Sequence, residues 1–298
     1  MSALVWLNGI LLSEESCVGI SPSDRGFTLG DGVFETIRVS SGIPLYVEHH
    51  LERLRIGCSF LQIPINYRDH ELLVYIGETI TANGLSEAVV RITVTRGTGK
   101  RGILPPTNPE PTIVISASPY ESHLLGEDIS RVNLIVSSVA RNNLSPTSRI
   151  KSCNYLDNIL ARMEASEKGA YDAVMLNTNG EVACTTSANV FIVQEGRLIT
   201  PPPSAGVLNG TVRRVLLDRL CHRLGLSVIE RKVSLQDLLS ADEVFITNSV
   251  IGVLGVDNIN GNRIGKRDSG EITLDIRREL EKDIDLYKTH FRWQGSVS

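Results

Sequence analysis

The sequence predicts an α+β fold in two domains. Short runs rich in β-branched residues alternate with runs of helical periodicity, but without the regular strand–helix–strand order of a parallel sheet. The 298 residues are enough for two moderate domains, each with its own core. A polar, weakly patterned stretch at 119–128 has the composition of a linker. We therefore expect a small N-terminal domain at 1–118, this linker, and a large C-terminal domain at 129–298.

The first domain begins with a predicted hairpin, because Asn8-Gly9 stands between two short apolar runs. Leu51, Leu54 and Cys58 recur at helical spacing, and Asn83-Gly84 has the composition of a helix C-terminus. The predicted elements are strands 4–8, 10–12 and 33–40, helices 48–58 and 69–83, and strands 89–95 and 112–118, which flank a Gly- and Pro-rich loop at 96–111.

The second domain mixes the same two patterns. Asn179-Gly180 and Glu195-Gly196 have the composition of turns, and Gly225 marks a helix end. The predicted elements are strands 132–139, 173–177, 190–193, 197–199 and 243–247, and helices 154–168, 211–224, 234–239 and about 271–288.

Composition limits the classes of function. The net charge is −4 and no block of lysine and arginine occurs, which argues against nucleic acid or an anionic membrane as the main partner. No apolar run reaches the roughly 18 residues that a membrane-spanning helix needs. The N-terminus lacks the basic start and long apolar stretch of a signal peptide. We therefore expect a cytoplasmic protein with a small-molecule ligand.

Cysteine and histidine spacing predicts neither disulfides nor a metal site. The five cysteines are odd in number and widely spaced, and they include no Cys-x-x-Cys pair. The six histidines show no metal-like spacing near a carboxylate cluster. We expect reduced thiols and no bound metal.

Lys151 stands at a junction between two predicted elements. It follows a strand-like stretch and a Ser-, Pro- and Asn-rich loop at 141–149, and it precedes the helix at 154–168. A lysine in this position can direct its amine into a cleft. A solvated surface lysine is the alternative.

Two segments have the composition of anion-binding turns. Gly210 and Thr211 open a predicted helix, whose first N–H groups and positive dipole end suit a phosphate. Thr247, Asn248 and Ser249 end an apolar strand, where the backbone can close on an oxyanion. An ordinary turn is the alternative in each case.

Two further segments supply cations. Arg53 lies between apolar neighbours on a predicted helix, where it can bind a phosphate through two hydrogen bonds or form a surface salt bridge. The segment Arg96-Gly-Thr-Gly-Lys-Arg101-Gly can bind a substrate carboxylate or form a solvated loop tip; it lacks the order of a Walker loop. Together with Lys151, these segments predict a phosphorylated cofactor held by a Schiff base, and pyridoxal phosphate is the economical hypothesis.

Six motifs then occur in a fixed order between about residues 4 and 260. They are Asp24-Arg-Gly-Phe-Thr-Leu-Gly-Asp-Gly-Val-Phe-Glu-Thr36, His50-Leu-Glu-Arg53-Leu, Lys151-Ser-Cys-Asn-Tyr155-Leu, Ala188-Asn189-Val-Phe, Asn209-Gly210-Thr211 and Ala241-Asp-Glu-Val-Phe-Ile-Thr-Asn248. In this order the chain resembles the class IV (fold type IV) pyridoxal-phosphate enzymes, which include branched-chain aminotransferases, D-amino acid aminotransferases and aminodeoxychorismate lyases. The resemblance implies a small α/β N-terminal domain, a larger C-terminal domain with a mixed β core that carries the cofactor, and a homodimer.

The resemblance also implies roles for individual residues. Lys151 would form the Schiff base and move the proton of the substrate Cα. Tyr155 would bind the phenolic oxygen of the cofactor. The phosphate would be held by Arg53 and Ser249, and by Thr211 and Val212 through their backbone N–H groups. Substrate contacts are implied for Phe34 and Arg101. The cofactor contacts implied in full are those of Arg53, Lys151, Tyr155, Cys184, Thr211, Val212, Asn248 and Ser249.

Cys184 departs from the family pattern. The family places a glutamate four residues after the turn glycine, facing the pyridine nitrogen of the cofactor, and this position holds Cys184 when counted from Gly180. Glu181 lies three residues earlier, on the other face of an extended strand. An ionised thiol could replace the carboxylate, whereas a neutral thiol would leave a weaker electron sink. The alternative is a small buried residue, with another group serving the nitrogen.

The motifs favour two activities of this family. Arg101 matches an arginine that binds the substrate carboxylate in the D-amino acid enzymes, and Asn154-Tyr155-Leu is similar to the branched-chain aminotransferases. The loop at 96–102 and the segments at 209–210 and 247–252 are similar to aminodeoxychorismate lyases, which would release 4-aminobenzoate. We expect an aminotransferase that acts on an amino donor and a 2-keto acid. The lyase is the alternative, followed by a cofactor-binding protein with weak catalysis.

Overall fold

The computed structural model describes residues 3–13, 15, 19–121, 131–265 and 270–293. Their contacts divide the chain into two compact units. Unit one comprises Met1–Glu121, Ile150–Asn154 and Leu286–Ser298, and unit two comprises Ser122–Arg149 and Tyr155–Asp285. Most of the predicted linker at 119–128 lies outside the described residues, so the domain boundaries stay a prediction.

The sheet of unit one is antiparallel throughout. Its strands in chain order are β1 (Leu4–Leu7), β2 (Ile10–Ser13), β3 (Gly32–Ser40), β4 (Ile43–Pro44), β5 (Ala88–Thr95) and β6 (Thr112–Pro119). Within the described residues they form six strands in the order β2-β1-β6-β5-β3-β4. The predicted hairpin around Asn8-Gly9 is confirmed, because both residues have positive φ angles that the tight turn requires.

Helices complete the core of unit one. They are α1 (Arg25–Leu29), α2 (Val47–Leu61) and α3 (Asp69–Ala82). Leu51, Leu54 and Cys58 lie on the buried face of α2 and pack in one cluster with Ile37 and Val39 of β3. Helix α2 runs three residues beyond the predicted end, because the left-handed residue that terminates it is Gln62 rather than a glycine.

The strands of unit two close into a ring. They are β7 (Arg131–Val136), β8 (Asp172–Leu176), β9 (Val182–Thr185), β10 (Asn189–Gln194), β11 (Arg197–Thr200), β12 (Val228–Glu230), β13 (Glu243–Asn248), β14 (Gly252–Ile259) and β15 (Asn262–Arg263). The order of the described strands is β12-β11-β10-β13-β14-β7-β8-β9, and β15 pairs with β14. Because β9 also pairs with β10, the strands from β10 to β9 form a closed path.

The helices of unit two begin after short turns. They are α4 (Leu156–Glu167), α5 (Thr211–Val215), a π-helical turn (Leu216–Leu220), α6 (Cys221–Arg223), α7 (Leu235–Leu239) and α8 (Glu271–His290), whose last residues are grouped with unit one. The predicted helix at 211–224 therefore consists of α5, the π-helical turn and α6, which follow one another without a break. No helix within the described residues is both long and apolar enough to cross a bilayer.

Four strands of unit two were not predicted. Strand β14 contains two glycines, Gly252 and Gly255, which weaken the local preference for extended structure. Strand β9 is buried along its whole length, so its residues show no alternation of polar and apolar side chains. The α+β class is nevertheless confirmed, because each unit combines a β-sheet with helices.

Candidate functional site

The backbone of Lys151 is fixed in unit one by pairing with β3. The Phe34 N–H donates to the Lys151 carbonyl oxygen at 2.9 Å, and the Cys153 N–H donates to the Gly32 carbonyl oxygen at 2.9 Å. The lysine itself makes one of these bonds, and the residue two positions after it makes the other. The junction predicted from the sequence is therefore paired with β3, and a half-buried lysine side chain extends from it.

The amine of Lys151 lies over an aromatic ring that it shares with a second cation. Its Nζ is 4.3 Å from the centroid of the buried Phe34 ring. The guanidinium carbon of Arg91 is 3.8 Å from the same centroid. The two cations are therefore no further apart than the sum of these two distances, and together they can attract a carboxylate.

Sequence reasoning missed Arg91. It lies on β5 opposite Thr36 of β3, in a strand whose neighbours Val90 and Ile92 are buried. An exposed arginine between buried β-branched residues was the available signal, but the same pattern describes any strand with one solvent face. Only the register between β3 and β5 brings Arg91 to the ring of Phe34.

Arg53 binds a buried carboxylate of unit one. Its Nε donates to Oε1 of Glu35 and its Nη2 donates to Oε2, both at 2.7 Å. His50 contacts Glu35 through Nδ1 at 2.6 Å. His50 and Arg53 are three residues apart on α2, so both side chains reach the same carboxylate. Because Glu35 is fully buried, this pair is not a surface salt bridge, and the phosphate contact of Arg53 stays a prediction.

Burial and hydrogen bonding determine the protonation states of Glu35 and His50. Burial alone would raise the pKa of Glu35, but the charge of Arg53 and the hydrogen bonds from Arg53 and His50 outweigh it and lower the pKa to about 2. Burial lowers the pKa of His50, so its ring is neutral near pH 7 even though Glu35 opposes that effect. Because a carboxylate only accepts, the neutral ring carries its proton on Nδ1.

The loop at 96–111 contains one buried arginine with a structural role and one exposed arginine. Arg96 is buried and binds both carboxylate oxygens of Asp31, at 2.7 and 3.0 Å. Arg25 binds the same carboxylate at 2.8 Å and the carbonyl oxygens of Gly102 and Ile103. Arg101, the predicted substrate contact, is exposed. One arginine of this loop therefore holds the fold, and Arg101 is accessible to a ligand.

A polar row crosses three strands of unit two. Asn189 of β10 lies directly opposite Cys184 of β9 on one side and Thr247 of β13 on the other. Residues directly opposite in an antiparallel pair have their side chains on one face of the sheet. All three are buried. The row therefore gathers a thiol, an amide and a hydroxyl on one face.

The start of α5 lies against this row. Gly210 precedes the helix, and a Cβ atom at this residue would lie 2.1 Å from the Asn189 side-chain oxygen. Asn189 also donates to the Leu208 carbonyl oxygen at 2.9 Å, which ties β10 to the helix start. Thr211 and Val212, the predicted phosphate contacts, are the first two residues of α5 and are both buried. Only glycine permits so close an approach between the row and the helix.

Two hydroxyls near this helix start lack partners. The Oγ1 atoms of Thr211 and Thr247 are buried and have no hydrogen-bond partner among the described residues. Helix α5 packs on β13, which carries Thr247. A buried donor without a partner is costly, and it commonly marks a position that a ligand or water occupies.

The predicted turn after β13 is held by Asn248. Its side-chain oxygen accepts from the N–H groups of Val250 and Ile251, both at 2.9 Å, and its amide donates to the Ser187 carbonyl oxygen at 3.2 Å. These bonds fix the backbone around Ser249. Asn248 is therefore a structural residue of the turn that presents Ser249.

Tyr155 immediately precedes α4 and is half-buried. Its carbonyl oxygen accepts from the Ile159 N–H at 2.9 Å, in the first turn of the helix. One turn later, the Asn158 amide donates to the Thr186 carbonyl oxygen at 2.7 Å, which links α4 to the loop after β9. The segment that follows the Lys151 junction is thereby fixed to the strand that carries Cys184.

Cys184 lies in an apolar cluster beside a cation. It packs with Ala205 and Val207, and the intervening residue, Gly206, accepts a hydrogen bond from the Nε of Arg141 at 3.2 Å. Burial raises the pKa of the Cys184 thiol; the charge of Arg141 opposes this effect without reversing it. The thiol is therefore neutral near pH 7.

The structure thus groups the predicted residues within each unit. Unit one brings Lys151 and Phe34 into contact and places Arg53 on Glu35, the residue after Phe34. Unit two places Cys184 in one row with Thr247, and Thr211 at the adjoining helix start. Sequence reasoning missed Glu35, Arg91 and Arg141, whose roles depend on non-local pairing.

Comparison with known proteins identifies the family. The model "Amino-transferase class IV" matches residues 32–259. A "Putative branched-chain-amino-acid aminotransferase" of Methanocaldococcus jannaschii is 36% identical over 281 residues, which cover 94% of this chain and 96% of that protein. The aminodeoxychorismate lyase of Bacillus subtilis is 30% identical over 284 residues, 94% of each protein. A solved T.th. branched-chain amino acid aminotransferase with pyridoxamine 5'-phosphate has a TM-score of 0.89 and 28% identity, and the match covers 100% of this chain and 99% of that one. The chain belongs to the class IV aminotransferase family of pyridoxal-phosphate-dependent enzymes.

Proposed function

We propose that this protein is an aminotransferase that moves an amino group between an amino acid or amine and a 2-keto acid, with Lys151 as its catalytic residue. The placement of Lys151 carries the proposal. Its backbone is fixed to β3 and its amine lies over Phe34, beside the guanidinium of Arg91. A lysine whose amine is held in one place can bond covalently to an aldehyde and exchange protons with a neighbouring carbon.

The helix start of unit two fits the phosphate of pyridoxal phosphate. The unpartnered hydroxyl of Thr211 and the first N–H groups of α5 can donate to a phosphate. Val212 would contribute its backbone N–H, and Ser249 its hydroxyl from the turn fixed by Asn248. Arg53 and Tyr155 complete the proposed cofactor contacts, and Arg53 keeps its ion pair with Glu35 in this arrangement.

The chain's own residues have distinct tasks in this proposal. When bound, pyridoxal phosphate supplies an electron sink for a carbon attached to the amino group of the substrate. Lys151 holds and moves the proton at that carbon. A guanidinium orients the substrate carboxylate, and Arg91 is the better placed candidate, because it shares the Phe34 ring with Lys151. Arg101 is the second candidate.

The test is a spectroscopic donor screen. Purified protein with pyridoxal phosphate is mixed with single amino donors, and the visible band of the cofactor is followed before and after a 2-keto acid is added. We expect one class of donor to bleach the band and the keto acid to restore it. Lys151→Ala should lose the band, whereas Lys168→Ala, an exposed lysine paired with Glu164, should keep it. A persistent band in Lys151→Ala would refute the assignment.

A lyase that expels pyruvate as its product becomes aromatic is the second candidate. The neutral thiol at Cys184 favours it, because aromatisation supplies driving force that a weak electron sink does not. Release of 4-aminobenzoate from aminodeoxychorismate, without bleaching by any donor, would select this activity. A stable cofactor band without either reaction would instead indicate a binding protein with weak catalysis.

A further inference from the structure

The surroundings of Cys184 bear on the ring nitrogen of the proposed cofactor. Family enzymes place a glutamate at this position, facing that nitrogen, and a carboxylate there keeps the nitrogen protonated. The inference below rests on the proposed function, because it needs pyridoxal phosphate bound next to the row of Cys184, Asn189 and Thr247. The unpartnered hydroxyl of Thr247 is an independent sign that this face receives a ligand.

Glu181 does not replace the missing glutamate. Its carboxylate accepts from the Asn177 amide at 3.0 Å and pairs with the Lys232 amine at 2.7 Å. Hydrogen bonds from Asn177 and Lys232 lower its pKa, so its charge is already neutralised by these partners.

Asp172 does not replace it either. Met175 of β8 lies directly opposite Cys184, so these two side chains share a face. Asp172 is three residues from Met175 and therefore lies on the opposite face of β8. Its carboxylate accepts from the Thr186 hydroxyl at 2.6 Å and from the Ala173 N–H at 2.8 Å.

A cation stands on the Cys184 side instead. Arg141 donates to the carbonyl oxygens of Gly206 and Ser148, at 3.2 and 2.7 Å, and to the side-chain oxygen of Asn158 at 3.3 Å. These three acceptors are neutral, so none of them cancels the charge of the guanidinium. A protonated ring nitrogen near Cys184 would face a neutral thiol and the cation of Arg141; the charge of Asp172, which opposes that of Arg141 at the thiol, comes from the other face of β8.

We propose that Cys184 and Arg141 keep the ring nitrogen of bound pyridoxal phosphate unprotonated. The thiol can donate its hydrogen to an unprotonated nitrogen, whereas a protonated nitrogen would have no anion to accept its hydrogen.

The experiment measures the protonation state of the ring nitrogen directly. The protein is loaded with pyridoxal phosphate carrying ¹⁵N in the ring, and the ¹⁵N chemical shift separates a protonated from an unprotonated ring nitrogen. Borohydride reduction and peptide mass mapping of the same sample locate the cofactor on Lys151. We expect the unprotonated shift in the wild type and in Cys184→Ser. We expect Cys184→Glu to move the shift towards the protonated value, and Cys221→Ser, a buried thiol elsewhere in unit two, to leave it unchanged.

A binding measurement keeps the test independent of whether Cys184→Glu folds. In an analogue of the cofactor, a C–H group replaces the ring nitrogen and cannot be protonated to a cation. We expect the wild type to bind it within about threefold of pyridoxal phosphate, whereas a site with a facing carboxylate would lose about tenfold or more with the charge-assisted hydrogen bond. A protonated shift in the wild type, with the cofactor mapped to Lys151, would overturn this inference alone. Failure to find the cofactor on Lys151 would overturn the proposed function and this inference with it.

Discussion

Replacement of Glu35 by glutamine tests whether the buried cluster of unit one depends on charge. Glutamine keeps the shape of the side chain and removes its charge, and neutral His50 can exchange tautomers to accept from the new amide. Arg53 cannot adapt in this way, because its guanidinium stays protonated. The substitution therefore isolates the ion pair between Arg53 and Glu35, whose two hydrogen bonds measure 2.7 Å.

The magnitude follows from the pKa of Glu35. The pKa of Glu35 falls from its ordinary 4.5 to about 2. A change of one unit in a pKa corresponds to about 1.4 kcal/mol. The charged carboxylate therefore stabilises the folded state by about 3 kcal/mol at pH 7. A depressed pKa gives a contribution that is present above pH 4.5 and is lost as the pH falls towards 2. About 1.4 kcal/mol should remain at pH 3.

Tryptophan fluorescence suits the assay, because both tryptophans of the chain, Trp6 and Trp293, belong to unit one. Urea unfolding without added cofactor should show Glu35→Gln less stable than wild type by about 3 kcal/mol at pH 7. Glu78→Gln, an exposed glutamate of α3, should change stability by less than about 0.5 kcal/mol. The difference for Glu35→Gln should shrink as the pH falls below 4.5. A difference that is independent of pH would refute the reasoning, since packing rather than charge would then cause it.

The remaining predictions concern the proposed ligand contacts. Thr211→Val should stabilise the cofactor-free protein by about 1 kcal/mol in thermal unfolding, because it removes a buried unpartnered hydroxyl. The same substitution should weaken pyridoxal phosphate binding about tenfold in a fluorescence titration. Gly210→Ala should cost about 1–3 kcal/mol in urea unfolding, because its Cβ would meet the Asn189 side chain at 2.1 Å; an unchanged midpoint would show that the loop yields. Arg91→Gln should raise the KM for an amino donor about tenfold or more in steady-state assays, and Arg101→Gln should raise it less; the reverse order would assign the substrate carboxylate to Arg101.

The sequence predicted those features that depend on local chemistry. The hairpin at Asn8-Gly9, the helix starting at Asp69 and the helix starting at Thr211 follow from turn and capping residues within a few positions. Strand β12 and strand β14 escaped detection, because three-residue strands and glycine-containing strands carry little local signal. The α+β class was predictable despite these omissions, since it depends on the mixture of elements rather than on each one.

The candidate site was predictable where a motif is continuous and unpredictable where strand register creates it. The neighbourhood of Lys151 could be recognised from its own segment, yet Phe34 acquires its two cations only through the pairing of β3 with β5 and with the segment of Lys151. The row of Cys184, Asn189 and Thr247 joins the two neighbouring strands β9 and β10 to β13, which is far from both in the sequence. A shift of one residue in either pairing would turn one member to the other face.

Arg53 and Arg141, which are both half-buried, show what the fold does with charge. Arg53 is neutralised by Glu35, so its ion pair contributes to the stability of unit one without any ligand. Arg141 binds only neutral oxygens in its described contacts, so its charge is a cost that folding does not recover through an ion pair. Such a cation is expected where function rather than stability determines the residue. In the proposed cofactor site, the neutral thiol of Cys184 and the cation of Arg141 would therefore act in the same direction, since neither stabilises a positive charge on the ring nitrogen.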